Sequence, residues 1–329
     1  LSSSSSLSSL SSPSTHKYYQ NAIRYYSFKG KLIMNIRCPL YLAVYLRLKN
    51  EQVTGSFKAR GAFNKCLILK EASKGTKITA LTSSTGNHGL ACALAFSTLG
   101  IDGEIVIPVN CDQEKKQKIV SCGGHIHEYG TDAAETEGYS RQLAQERGFT
   151  FISPYNDYQI IAGQGTIGAE ILKDLPDVDA VFASVGGGGL ICGIAAYIKT
   201  KRPQCKVIGC SPVNSKVLHE SVFAGHIVEE ESLDTLSDGT AGGVEPGSVT
   251  LDLATELVDK WVLVSEEEIA TAVFDVLKNH KKVIEGAAGV ALAGARKIAQ
   301  DLQGKKVAIV MCGASISLAN LNNIMKTYM

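Results

Sequence analysis

The segment Thr54-Gly55-Ser56-Phe57-Lys58-Ala59-Arg60-Gly61-Ala62 places one lysine at the mouth of a helix, shortly after the strand-like Val44-Tyr45-Leu46-Arg47-Leu48. A lysine so placed can form an imine with a carbonyl compound and hold it in a packed pocket. Lysines beside a helix start also sit in solvent or bind a carboxylate, so the segment alone does not decide the chemistry. A second segment, Thr82-Ser83-Ser84-Thr85-Gly86-Asn87-His88-Gly89, joins an apolar run to the alanine-rich, helix-like Leu90-Ala91-Cys92-Ala93-Leu94-Ala95-Phe96. One Ser, Thr or Asn is enough to cap a helix. This loop supplies five hydroxyl or amide side chains in six positions, and the excess points to a carboxylate or another small polar ligand at the helix start.

A third segment, Gly186-Gly187-Gly188-Gly189, stands between the strand-like Ala180-Val181-Phe182-Ala183-Ser184-Val185 and the helix-like Leu190-Ile191-Cys192-Gly193. Four glycines in a row let successive N–H groups converge on a phosphate at a helix start. The dinucleotide fingerprint fails, because Cys192 occupies the position where the third glycine belongs. The nucleotide P-loop fails as well, since no Lys-Ser or Lys-Thr follows. A phosphate site of neither nucleotide type, paired with an imine-forming lysine, points to pyridoxal 5'-phosphate.

Four ordered motifs carry a family resemblance: Ser56-Phe57-Lys58-Ala59-Arg60-Gly61-Ala62, Ser84-Thr85-Gly86-Asn87-His88-Gly89, Ala162-Gly163-Gln164-Gly165-Thr166 and the tetraglycine. The chain resembles the serine/threonine dehydratases and serine racemases, which are tryptophan-synthase-β-like, fold-type-II pyridoxal-phosphate enzymes. The resemblance runs from about Arg37 to the C-terminus. It implies an α/β fold with two parallel-sheet domains and the pyridoxal phosphate in the cleft between them. The expected division is a Ser-rich or basic, disordered head over 1–34, a large cofactor-binding domain over 35–76 and 155–329, and a small domain over 77–154. The family's Arg-Thr-Pro-Leu element stands here as Arg37-Cys38-Pro39-Leu40, without the usual stretch before the next strand.

Alternating patterns agree with that fold. Strands read at 104–108, 149–153, 206–210, 261–264 and 307–311, and helices at 133–146, 266–278 and 289–300. Alternation of this kind means parallel sheets covered by helices on both faces. Ser265-Glu266-Glu267-Glu268 reads as a capping box at the start of one of these helices. His125-Ile126-His127 has strand-type chelate spacing, but solvation on an edge strand is the better reading without a nearby carboxylate or thiol partner.

Composition narrows the classes. A net charge of +1 gives no general attraction to nucleic acid or anionic membrane. No apolar run reaches spanning length. Nine scattered cysteines without C-x-x-C spacing suit a reducing compartment and free thiols. A cytoplasmic homodimer is expected. The head is serine-rich and basic, with no acidic residue before Glu51, so a mitochondrial or plastid transit peptide is the alternative address.

The resemblance also distributes roles. Lys58 would hold the cofactor as an imine and then act as general base on the α-carbon. Gly186, Gly187, Gly188, Gly189 and Leu190 would bind the phosphate, and Asn87 the ring hydroxyl. Ser84, Asn87 and His88 are the candidates for the substrate carboxylate. Cys312 would face the pyridine nitrogen, where a weak thiol donor leaves it largely unprotonated and favours prompt β-elimination. Loss of the β-hydroxyl from an amino-acid substrate, L-serine or L-threonine, would give a 2-oxo acid and ammonia. Serine racemase is the first alternative. It needs an acid/base on the face opposite Lys58, where this chain has Thr85 instead of serine, with a methyl that crowds the site. Ser211 and Val217 stand where a racemase's divalent-cation ligands would fall, so no metal is expected. The second alternative is a catalytically silent cofactor-binding homologue.

Overall fold

The computed structural model describes residues 43–329 and one further strand over 32–37. The head up to residue 31, and Cys38, Pro39 and Leu40 of the shortened element, lie outside the described residues. The strands are β1 (Leu32–Arg37), β2 (Ala43–Leu48), β3 (Thr79–Ser83), β4 (Asp102–Ile107), β5 (His125–Glu128), β6 (Thr150–Phe151), β7 (Ala180–Ser184), β8 (Lys206–Pro212), β9 (Lys260–Val264) and β10 (Lys306–Met311). The helices are α1 (Lys58–Ala72), α2 (Asn87–Leu99), α3 (Gln113–Ser121), α4 (Ala133–Arg147), α5 (Tyr158–Asp174), α6 (Gly189–Lys201), α7 (Val217–Ala224), α8 (Val249–Leu257), α9 (Glu266–His280), α10 (Gly286–Lys297) and α11 (Leu318–Tyr328).

Two sheets organise these elements. A six-stranded sheet runs β1-β2-β10-β7-β8-β9, and a four-stranded sheet runs β5-β4-β3-β6. All neighbours are parallel except β1, which pairs antiparallel with β2. The two parallel-sheet layout is the one expected, with this one antiparallel strand added at an edge. The added strand begins at Leu32, inside the stretch assigned to the head, so the sheet starts earlier than a boundary at residue 34 allows.

The central strands read as continuous apolar runs because helices cover both of their faces. Val181, Phe182 and Ala183 of β7 are fully buried, and the two larger side chains contribute roughly 1.5–3 kcal/mol each. Helices α1 and α5 cross through a pair of glycines. A Cβ on Gly163 would come within 2.6 Å of the Arg60 carbonyl oxygen, and one on Gly61 within 2.9 Å of the Ile160 carbonyl oxygen. The Ala162-Gly163-Gln164-Gly165-Thr166 motif is therefore a packing device that fixes the helix carrying Lys58. The Gln164 side chain completes it by accepting from the Gly61 N–H at 3.2 Å.

The same helix pair holds a buried ionic cluster that sequence patterning did not reveal. Glu170 on α5 is paired with Arg47 and Lys49 of the β2 end and with Arg60 on α1, the last at 2.7 Å. Arg47 also meets Asp174, and Arg60 donates to Thr166 Oγ1 at 2.7 Å. Lys49 is completely buried. These cations hold the Glu170 carboxyl down to about 2 despite its burial.

Candidate active site

Among the described residues six helices have a side-chain N-cap: Asp112, Asp132, Asp157, Ser248, Ser265 and Ser317 accept from the first turns of α3, α4, α5, α8, α9 and α11. Ser265 forms the expected capping box with Glu268. Helices α1, α2, α6 and α10 lack such a cap, and their first residues are Lys58, Asn87, Gly189 and Gly286. Helix α7 is the other uncapped one. An uncapped helix start keeps its first N–H groups and its positive dipole end available to an anion. Three of the uncapped starts carry the three segments singled out by their chemistry.

Lys58 is placed by the chain before it. Lys49 and Asn50 donate their N–H groups to the Met311 carbonyl, Phe57 N–H donates to Cys312 O at 2.9 Å, and Ser56 bridges to Gly313. The lysine is thereby stitched to the carboxyl end of β10. Its ammonium donates to the Pro154 carbonyl oxygen at 2.8 Å. Burial pulls its pKa down to about 8, against the opposing pull of Cys92, Cys312 and Glu285 nearby. A useful fraction of neutral amine therefore exists near neutral pH.

The tetraglycine connects β7 to α6. Gly188, at φ +88°, adopts a conformation that a side chain disfavours, and it forms the N-cap with no side-chain partner. A Cβ on Gly187 would fall 2.4 Å from the Tyr155 ring. Tyr155 follows Pro154, so two consecutive residues touch Lys58 and the glycine loop. Tyr155 also accepts from the Glu245 N–H through its hydroxyl at 2.9 Å. The side chain of Leu190 is buried in the core, which leaves its backbone as what it can offer a phosphate.

On the second loop, Ser84 Oγ accepts from the Gly86 N–H at 3.2 Å, and Thr85 is partly exposed beside it. Asn87 Nδ2 donates to both carboxylate oxygens of Glu285, at 3.2 and 3.0 Å, and Asn87 Oδ1 accepts from the Ser315 hydroxyl at 2.6 Å. The His88 ring turns the other way. It is buried, with Nε2 at 3.1 Å from Ile152 O and the Cys92 sulfur at 3.5 Å. Burial first, and the Lys58 charge second, push its pKa down to about 3. The neutral ring is spent inside the four-stranded sheet's core, so position 88 offers a ligand its backbone N–H rather than its imidazole.

Cys312 is buried at the end of β10, and burial pushes its thiol far above the usual range. Its sulfur accepts from Ser184 Oγ at 3.5 Å and lies 3.8 Å from Glu285 Oε1. Lys58, the tetraglycine, Asn87 and Cys312 are thus brought together through Pro154, Tyr155, Ser184 and Glu285. Sequence reasoning missed Glu285 and Tyr155. The available signal was an acidic residue just before a Gly-Ala-Ala helix start, where a Ser or Asp cap would ordinarily stand.

Ser211 and Val217 are buried apart from any carboxylate cluster, and among the described residues no three His, Cys, Asp or Glu side chains stand together as metal ligands. His125 and His127 lie on edge strand β5. His127 does have a carboxylate neighbour, contrary to the sequence reading: Glu104 Oε2 is 3.2 Å from Nδ1, and Tyr139 OH is 3.3 Å from Nε2. The eight described cysteines are free thiols. No helix among the described residues is long and apolar enough to cross a membrane.

These residues fit pyridoxal phosphate. A primary amine with a lowered pKa, an uncapped glycine-rich helix start with no acidic residue in its first turn, and an oriented amide are linked through Pro154, Tyr155 and Glu285. Comparison with known proteins agrees. The family model described as "Pyridoxal-phosphate dependent enzyme" matches residues 36–313. The L-threonine ammonia-lyase of Thermotoga maritima is 40% identical over 282 residues, covering 85% of this chain and 69% of that protein. The processed form of threonine deaminase isoform 2 from Solanum lycopersicum superposes with a TM-score of 0.88 at 30% identity, covering 96% of this chain and 94% of that one. Maize serine racemase superposes with a TM-score of 0.86 at 27% identity, covering 96% and 97%. The chain belongs to the pyridoxal-phosphate-dependent enzymes of fold type II, among relatives of the threonine dehydratases and serine racemases.

Proposed function

We propose that this protein is an L-serine/L-threonine ammonia-lyase, which removes the β-hydroxyl of a hydroxyamino acid to give a 2-oxo acid and ammonia. What carries the reading is Lys58, a partly buried amine with a pKa near 8 that feels Cys312 and Glu285, the carboxylate that in turn orients the Asn87 amide. The pyridoxal phosphate, when bound, supplies the electron sink that makes the α-proton removable. Lys58 takes that proton as its neutral amine, and burial is what makes the neutral form accessible. The uncapped start of α2, with Ser84 and the backbone N–H groups of Asn87 and His88, orients the substrate carboxylate. Gly186 to Gly189 and the backbone of Leu190 hold the phosphate at the start of α6. Asn87 would hold the ring oxygen through its side-chain amide. Cys312, a protonated and weakly donating thiol, would face the ring nitrogen and would temper the electron sink that the cofactor supplies, which favours loss of the hydroxyl. The hydroxyl would leave as water, taking up the proton that Lys58 had accepted, which returns the amine to its neutral form. The unsaturated amine released then tautomerises and takes up water, giving the 2-oxo acid and ammonia without further help from the protein.

Serine racemisation is the second reading, supported by the Thr85 hydroxyl on the same loop as Asn87. A homodimer in the cytoplasm, or in an organelle, is the assembly and address we propose. The test of function is to incubate the pyridoxal-phosphate-loaded protein with L-serine, L-threonine, D-serine and bulkier hydroxyamino acids, measuring 2-oxo acid, ammonia and the opposite enantiomer. Pyruvate from L-serine or 2-oxobutyrate from L-threonine should dominate. Enantiomer exchange faster than 2-oxo acid release would reassign the activity to racemisation.

A further inference from the structure

Glu285 occupies the N-cap position of α10, yet its side chain makes no bond to that helix. It turns instead toward the loop of α2, on the other sheet. We propose that Glu285 is a positioning residue: it fixes the amide of Asn87 so that one Nδ2 hydrogen is committed to the carboxylate and the other is presented to the ring oxygen of bound pyridoxal phosphate. The proposal rests on the pyridoxal-phosphate reading of the site.

The two ends of the Asn87 amide differ, and each has one suitable partner. Oδ1 accepts from the Ser315 hydroxyl at 2.6 Å, while Nδ2 faces the two Glu285 oxygens at 3.0 and 3.2 Å. A flipped amide would set its oxygen against a carboxylate, acceptor against acceptor. The amide orientation is therefore determined by Glu285 together with Ser315. The carboxylate is itself immobilised. Oε2 accepts from the Ser315 N–H at 2.9 Å, its own N–H donates to Gly313 O at 3.0 Å, and its carbonyl accepts from Ala288 N–H at 3.0 Å. Gly313 makes room for it, since a Cβ there would lie 2.4 Å from Oε1. With 2% of its surface exposed, Glu285 meets little water that could substitute for these partners. A buried carboxylate surrounded by donors, given space by a glycine and withheld from its own helix, is placed for the sake of Asn87.

The test uses the pyridoxal-phosphate-loaded protein in four forms: wild type, Glu285→Gln, Asn87→Ala and the double variant. For each, the absorbance maximum of bound cofactor, its Kd, kcat and KM for L-threonine, and the thermal midpoint of the cofactor-free protein are measured. Glutamine keeps the size, and its one oxygen can still accept where Oε2 does, but its NH2 group would stand where Oε1 now faces Asn87 Nδ2, donor against donor. Glu285→Gln should shift the absorbance maximum and lower kcat by about tenfold or more, with a smaller change in KM, the size expected for a misplaced positioning group. In the Asn87→Ala background the same change should add nothing to the spectrum or to kcat. Should Glu285→Gln not fold, Ser315→Ala removes the exposed half of the clamp and should shift the spectrum in the same direction. A wild-type spectrum and kcat in Glu285→Gln, or in Ser315→Ala if that variant alone folds, would overturn the proposal. Full additivity with Asn87→Ala would overturn it equally. Wild-type protein that takes up no pyridoxal phosphate would instead remove the reading beneath it.

Discussion

The ammonium of Lys58 donates to the carbonyl oxygen of Pro154 at 2.8 Å, tying the first residue of α1 to the segment that follows β6. That bond spans the two sheets, and Tyr155, the next residue, packs against the tetraglycine. The amine and the phosphate loop are therefore set at a fixed spacing before any cofactor arrives.

A pH dependence follows from Lys58. Its pKa is lowered from 10.5 to about 8 by burial, so the cofactor-free protein carries an increasing share of neutral amine up to that pH. Covalent capture of added pyridoxal phosphate should accelerate roughly tenfold per pH unit below the pKa and level off above it, because only the neutral amine attacks the aldehyde. The sign for stability is the same: the unfolded chain holds the proton more tightly than the folded one between about pH 8 and 10.5, so the cofactor-free protein should gain stability as pH rises through that window. Stopped-flow absorbance across the range checks the first statement. A flat capture rate would mean that another group is the acceptor.

Substitution in the glycine loop should act through Tyr155 as well as through the phosphate. A valine at position 187 has to displace the Tyr155 ring, which in turn disturbs Pro154 and Lys58. Gly187→Val should therefore weaken pyridoxal-phosphate binding and also change the absorbance of what remains bound. Gly187→Val combined with Tyr155→Ala should recover part of the spectral change but not the affinity, and equilibrium titration separates the two.

Glu170 provides a stability prediction. Removing its charge would take from Arg47, Lys49 and Arg60 the carboxylate that all three share. Glu170→Gln should lower unfolding stability by about 3–5 kcal/mol, the range for breaking a buried ion pair from one side. Because the carboxyl is held near 2, its contribution is fully present above about pH 4.5 and fades as pH falls toward 2. Urea unfolding of both proteins at pH 7 and pH 3 should show the gap narrowing in acid.

Local chemistry made much of this fold legible, and contacts between distant segments supplied the rest. The Ser265–Glu268 capping box and the buried runs of β7 and β10 are local signals, and they stand where the sequence places them. Helix α10 starts earlier than the pattern suggested, at Gly286, because Glu285 stops the chain there for a reason that lies on the other sheet. Val44, Leu46 and Leu48 alternate with Tyr45 and Arg47 in β2, which the sequence shows as strand-like without showing what covers Arg47. The cover is α5, which brings Glu170 and Asp174 to meet the charge. His88 was placed in the site by its neighbours in the motif, yet its ring points away, since the first turn of a helix sends successive side chains in different directions. Residue type and spacing identified the loops; the direction of each side chain depended on what packs behind it.

Thr85 distinguishes elimination from racemisation. If it only walls the site, Thr85→Ala should leave 2-oxo acid formation from L-serine within about threefold, since surface and wall substitutions without a bonding role are mild. If its hydroxyl transfers a proton on the face opposite Lys58, the same change should abolish interconversion of L- and D-serine and the dehydration of D-serine, leaving L-serine dehydration intact. Chiral analysis of both reactions with both enantiomers decides between them.

The most direct measurement compares wild type with Lys58→Ala, each incubated with pyridoxal phosphate and then with L-threonine and L-serine, following the bound-cofactor absorbance and the release of 2-oxo acid with ammonia. The wild type should show the absorbance and release both products in equal amounts. Lys58→Ala should lose covalent capture and turnover together, because the amine beside Cys312 and Glu285 that would serve both steps is then gone. Products at the wild-type rate from Lys58→Ala, or none from the wild type with any hydroxyamino acid, would contradict the account.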